Sequence, residues 1–207
     1  MPHRKGKTNW GRFAVILVPG VVACVALGIA MAQGALAASF FISGQRFQVA
    51  ADALTLRGVS IYGMVDVTNE GDPVPVLVTG ARHATVSGLC QSVLVDIPVL
   101  GPYTLKLTGG NERPAEASDL FLDATTTLAG QADFTDIDIG VAQGAITKGP
   151  IDPNDRNSQF FDPNGFGQQA ASATLTNFRV TTVAVSAGTF RIPGLRLSLE
   201  RGHDECT

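Results

Sequence analysis

The chain has 207 residues, 15 basic against 18 acidic side chains, and a net charge of −3. That balance excludes a basic stripe for nucleic acid, and a length in this range leads to the expectation of one compact domain.

The chain opens on "MPHRKGKTNWGR", which carries Arg4, Lys5, Lys7 and Arg12 and no acid. An apolar run comes next, "FAVILVPGVVACVALGIAMA", and then Ala35-Leu36-Ala37, a small-x-small exit. Basic start, apolar centre and small-residue exit together read as a secretory signal over residues 1–37. The run is also long enough, at about 20 residues, to stay in a bilayer as a signal anchor. "VVAC" at Cys24 resembles a bacterial lipobox, so a lipidated terminus is a third fate. All three place residues 38–207 outside the cytoplasm, with membrane contact only through an uncleaved or lipidated N-terminus. Residues 1–37 hold four of the basic residues and none of the acids. Eleven bases then face eighteen acids, a net charge of −7.

Two cysteines remain after the leader, Cys90 and Cys206. In an oxidising compartment an even pair reads as a disulfide.

From "RFQV" at residues 46–49 to "LRLSL" at 195–199, short segments alternate apolar with polar or small residues. Gly, Pro, Asn and Asp signals such as "EGDP", "TGGNERP" and "SAGT" separate them. No helical stripe is sustained over a dozen residues. The expectation is a single all-β domain, an antiparallel β-sandwich or a partly closed barrel.

One long stretch breaks this rhythm, residues 144–167, "GAITKGPIDPNDRNSQFFDPNGFG". Its Asp152, Asn154, Asp155, Asn157 and Asp162 suggest calcium, yet the spacing departs from an EF-type loop, and a solvated turn cluster is the better reading. Phe160, Phe161 and Phe166 lie in the same stretch. Such rings either plug back into the core or form a contact surface for an apolar ligand.

Catalytic signatures are sparse. "AVSAG" around Ser186 approaches a nucleophile elbow, but the next residues, "TFRIPGLRLSL", read as a strand where the elbow requires a helix. A Cys90–Cys206 bridge would bring Ser87, Ser92, His203 and Asp204 into one neighbourhood, a weak Ser–His–Asp candidate. Two histidines, His83 and His203, make a poor zinc set, and neither metal nor cofactor is expected. Asp136 and Asp138 share a strand face, which for acids is usually the exposed one.

The segments "GLCQSV", "IPVLG", "GFGQQA" and "GTFRIPGLRLSL", with the final cysteine, carry a resemblance. The chain is similar to a family of small secreted actinobacterial proteins of unknown function that often bear the label cholesterol esterase. The resemblance runs from the leader to Cys206 and implies a sterol-ester hydrolase, although no catalytic serine can be carried over onto this chain. Three functions stand as expectations. The first is a secreted or cell-envelope module binding sterol or another lipid, with no recognisable catalytic motif. The second is an esterase with an unconventional serine site, and the third a self-assembling surface protein.

Trp10 is the chain's one tryptophan. Protein recovered from the medium should therefore lack tryptophan emission, and finding that emission would refute cleavage near Ala37.

Overall fold

Alternating segments bury one face each, so they must pair and curl until their apolar faces meet. The computed structural model describes residues 43–206. The leader of residues 1–37, with Cys24 and its cleavage site, lies outside the described residues.

Nine antiparallel strands form one sheet. The longest, β1 (Phe47–Val67), pairs with β2 (Pro73–Ser87) on one side and with β7 (Phe166–Ser186) on the other. β2 pairs in turn with β5 (Ala115–Leu128), and β5 pairs with the C-terminal half of β7. The path β1-β2-β5-β7 thus returns to β1 and makes a ring. β6 (Gln131–Ala142) pairs with the N-terminal half of β7 and stands as a free edge, so the ring is only partly closed. β8 (Thr189–Arg191) adds to β5. An arm of β3 (Leu89–Ile97), β4 (Gly101–Gly109) and β9 (Arg196–Arg201) leaves from the start of β1.

The long strands do not keep a strict two-residue period. Gly58, Asp119 and Asp136, on β1, β5 and β6, have left-handed backbones with φ of 63°, 48° and 52°. Gly58 lies opposite Arg82 of β2 on one side and Ala171 of β7 on the other, and Arg82 lies opposite Asp119. These positions form a crease across five neighbouring strands. At the crease each core position is followed by another three residues on: Leu56 then Val59, Ala81 then Ala84, Ala117 then Leu120, Ala170 then Ala173. On β1 and β5 a left-handed residue shifts the facing by one, and their partners β2 and β7 slip at Arg82 and Ala171 without one, so the apolar stripe stays inside the ring. A Cβ on Gly58 would sit 2.9 Å from the Arg82 side chain and 3.0 Å from the Lys148 carbonyl oxygen, which favours glycine at that left-handed position.

There are two cores. The inner one fills the ring with Leu54, Leu56, Val59, Leu120, Phe178 and Val180 among others. The second lies on the other face of the sheet, where Tyr62, Met64, Val78, Phe121 and Val183 meet Ile146 and Ile151. Those isoleucines belong to the irregular segment between β6 and β7, residues 143–165, which includes a one-turn 3₁₀ helix (Gln143–Ala145) and a short α1 (Pro153–Arg156). This strap lies directly on the sheet. A Cβ on Gly149 would collide with the Val59–Ser60 peptide, and the Ser60 hydroxyl donates to the Pro150 carbonyl.

Cys90 and Cys206 form a disulfide, 116 residues apart in sequence with Cα atoms at 5.8 Å. It fastens the chain end to β3. The Cys206 amide donates to the Ser92 hydroxyl at 2.9 Å, and the Asp204 amide donates to that of Thr104 at 2.9 Å. Replacing both cysteines by serine is expected to lower stability by about 2–4 kcal/mol, through the larger entropy of the opened unfolded chain. Denaturant unfolding of the pair variant against wild type checks this.

Candidate functional site

Three features of the fold could act on another molecule: the lumen of the ring, an outward groove, and the polar cluster under the strap.

The lumen is a consequence of the crease. Keeping aliphatic residues inside a narrow ring leaves two small apolar cavities, about 100 Å³ and about 30 Å³, which share Leu54, Leu122 and Phe178 as walls. The larger is bounded at its mouth by Leu77 of β2 and Phe134 of β6, both exposed although they belong to its lining. The mouth exists because β6 pairs only with β7, leaving a gap between β6 and β2. The cavities are far below the roughly 300–1,000 Å³ of a pocket that engulfs a whole small molecule. They suit a slender apolar group.

The groove lies outside the ring, with a volume of about 430 Å³, between β2, β5 and β8. His83 faces Ser118 across the β2–β5 pair, and Ser118 faces Thr189 across β5–β8. Glu116 and Arg191 face each other in the adjoining row. A histidine, a serine and an acid thus line this groove together. The Ser118 hydroxyl is engaged with that of Thr189 at 2.7 Å, whereas a nucleophile needs a hydrogen bond to its base.

Under the strap, the Tyr62 hydroxyl donates to Asp155 Oδ2 at 2.7 Å and accepts from the Asp152 amide at 3.1 Å. Tyr62 is 1% exposed. Asp66 and Asp123 are half-buried beside them, and one Asp66 carboxylate oxygen is buried without a partner. Burial is the main cause raising Asp123 to about 8 and Asp66 and Asp155 to about 6, with mutual repulsion adding to it. Burial likewise holds the Tyr62 hydroxyl in its neutral form, well above its ordinary range. Among the described residues no group of three or more acids, histidines or cysteines is placed to hold a metal ion. Protonation is what relieves this cluster.

The tail lies against Ser92 as the bridge requires, but Ser87, Ser92, His203 and Asp204 make no hydrogen bond to one another among the described residues. Ser92 is fully buried and holds the Cys206 amide. Ser87 ends β2, half-buried. His203 and Asp204 are exposed, and Asp204 pairs with Lys106 at 2.8 Å. No hydrogen bond among the described residues links Ser87 or Ser92 to His203. Phe161 packs edge-on against Tyr62 with centroids 6.3 Å apart, while Phe160 and Phe166 are exposed. None of the three lines the lumen.

Within the turn cluster Asn154, Asn157 and Asp162 are exposed, whereas Asp152 and Asp155 are partly buried. Asp152 caps α1 through the Asn154 amide, and Asp155 turns inward to Tyr62. Asp136 and Asp138 both pair with Lys148, at 2.8 and 2.9 Å, pinning the strap to β6. Tyr62, Asp66 and Asp123 went unnoticed in the sequence. The available signal was an acid inside an apolar strand, "MVDV" and "LFLDAT", where a charge has no ordinary place.

Residues 43–207 match the family described as a family of unknown function, DUF6230. The chain belongs to that family. No curated protein and no solved structure matches it. The family match spans the ring, the strap and the disulfide arm alike, so all three features belong to the matched region.

The carboxyl cluster sets a pH dependence. In the unfolded chain these carboxyls release their protons near 3.8, whereas Asp123 in the folded protein holds its proton to about 8. The folded state binds more protons in between, so stability falls as pH rises from about 4 to about 8 and then levels off. Asp123→Asn should flatten that decline and raise stability at pH 8, by on the order of 2 kcal/mol. Urea unfolding of both proteins between pH 4 and 9 measures it.

Proposed function

We propose that this is a secreted or cell-envelope binding module, not an enzyme, which receives a narrow apolar group such as a lipid acyl chain in the lumen of its ring. The observation that carries this reading is the mouth between β2 and β6. There Leu77 and Phe134 hold apolar surface in water at the entrance of an almost wholly apolar cavity. Exposed apolar rims around a lined cavity are the ordinary mark of a ligand entrance. The cavity volume admits only the end of an acyl chain and excludes the rigid four-ring body of a sterol.

The esterase alternative has its best geometry in the outer groove, where His83 faces Ser118. It lacks the serine–histidine hydrogen bond, and the groove is open to solvent.

Lipid extraction and mass spectrometry of purified protein should return acyl-chain lipids. Adding a long-chain fatty acid at about a hundredfold over its dissociation constant should stabilise the fold by about 2.7 kcal/mol. The double change Leu77→Asp with Phe134→Asp, at two exposed positions, should reduce uptake at least about tenfold while leaving the fold intact. Protein that carries no lipid and gains no stability from fatty acid would overturn the reading. Turnover of a p-nitrophenyl ester that disappears in both Ser118→Ala and His83→Ala would replace it with the hydrolase.

A further inference from the structure

The arm formed by β3, β4 and β9 has two unlike faces. The C-terminal tail covers one of them: Thr104 Oγ1 donates to the Gly202 carbonyl at 2.7 Å, Ser92 accepts from Cys206, and both side chains are fully buried. The other face carries exposed leucines on β4 and β9, while Leu107 at its base packs against the inner core. Side chains directly opposite each other share a face, which groups Val93, Leu105 and Leu199 in one row, with Leu107 and Leu197 beyond. Leu197 and Leu199 are 62% and 56% exposed.

At the end of the arm the β3–β4 turn, "IPVLGP", is stranger still. The Leu100 amide donates to the Ile97 carbonyl at 3.1 Å, closing a turn with Pro98 and Val99 at its corners. Val99 occupies the left-handed corner, φ 74°, where such a turn calls for glycine or asparagine. A β-branched residue there is strained, and its side chain gains nothing from the protein in return, since Val99 is 104% exposed and Leu100 56%. Strain together with full exposure of an apolar tip points to a contact outside this chain.

The shape of the tip selects the occupant. It projects past the Val95–Tyr103 row by the pairs Asp96–Pro102 and Ile97–Gly101 and then the turn itself. At about 3.4 Å per residue that is roughly 7–10 Å, the depth to which interfacial elements sink into a bilayer, roughly 5–10 Å. Tyr103 and Arg201 stand opposite each other in the row behind it, the residue types that settle at the headgroup level. Asp96 is the one charged residue of the hairpin beyond that row, and it belongs to the opposite face. The path of the chain agrees. β3 runs antiparallel to β1 through Ala50–Cys90 and Gln48–Ser92, so the chain enters β1 from the end toward which the tip extends. In the sequence the apolar run of residues 13–32 precedes β1 by fourteen residues.

We infer that the β3–β4 hairpin tip, Val99 and Leu100, dips into the interface of a lipid bilayer, with the exposed Leu105, Leu197 and Leu199 of the arm behind it. The net charge of −7 over residues 38–207 directs it to zwitterionic rather than anionic lipid. This membrane contact is separate from the lumen and survives if the lumen proves empty.

The test places a fluorophore at the tip of the full-length chain. In a Trp10→Phe background, Leu100→Trp reports the tip, and Leu128→Trp reports an exposed apolar position at the far end of β5. With phosphatidylcholine vesicles, the Leu100→Trp emission should shift to shorter wavelength and be quenched by brominated acyl chains, while the Leu128→Trp emission stays as in water. Both probes share the same N-terminus, so that segment cannot create the difference. Val99→Asp keeps a residue tolerant of the left-handed corner and should weaken tip insertion, read as acyl-chain quenching of Leu100→Trp, at least about tenfold. Tip emission quenched only from the aqueous phase would overturn the inference. So would an emission shift that grows with protein concentration in the absence of lipid, which would assign the tip to a second copy of the chain.

Discussion

The left-handed residues at Gly58, Asp119 and Asp136 are the constraint on which the rest of this fold depends. Strands of up to 21 residues cannot wrap a narrow ring without bending. A strand that bends while keeping strict alternation would turn its apolar stripe outward halfway along. The crease resolves both problems at once: every strand that crosses it bends at one level and slips its facing by one residue there. The β5–β7 pairing that brings the ring round, from Phe121–Ser186 to Leu128–Arg179, lies beyond the crease and is itself irregular near Ala124.

The same slip divides the molecule chemically. Residues such as Tyr62, Met64 and Val78 point away from the lumen and build the second core, which the strap must cover. The strap brings Asp152 and Asp155 over sheet acids Asp66 and Asp123, and no cation is among the groups that shift them. Buried carboxyls in that setting hold their protons. The strap therefore stabilises the outer face through Ile146, Ile151 and Phe161, while the carboxyls beneath it make that stability sensitive to pH.

Much of the architecture was legible from the residues. Period-two alternation and turn signals pointed to an all-β domain, a sandwich or a partly closed barrel, of which the single sheet makes the second, and the paired cysteines pointed to the bridge that anchors the chain end. The irregular segment was also visible, within a residue or two of its ends. The reading of its acids as solvated was incomplete, because Asp155 meets Tyr62 from 93 residues away. The neighbourhood of Ser87, Ser92, His203 and Asp204 was inferred from closeness to the bridge. The structure puts Ser92 into holding the tail amide and leaves His203 in solvent, while the serine that does face a histidine across a strand pair, Ser118, stood in no motif.

By itself, then, the sequence determined that alternating strands build the domain and that one long covalent loop closes it, whereas segments that read as short merge into strands of 21 residues. Alternation, turn chemistry and cysteine count are local or compositional properties, and they survive being read one residue at a time. Only the tertiary structure decided which face each residue occupies past the crease, which acids share the space beneath the strap, and that a valine stands bare at the tip of an arm. Facing keeps a period of two only within an uninterrupted strand, so one left-handed residue reverses the assignment of every residue after it. The pairings that gather distant residues depend on ring closure, which no local pattern encodes.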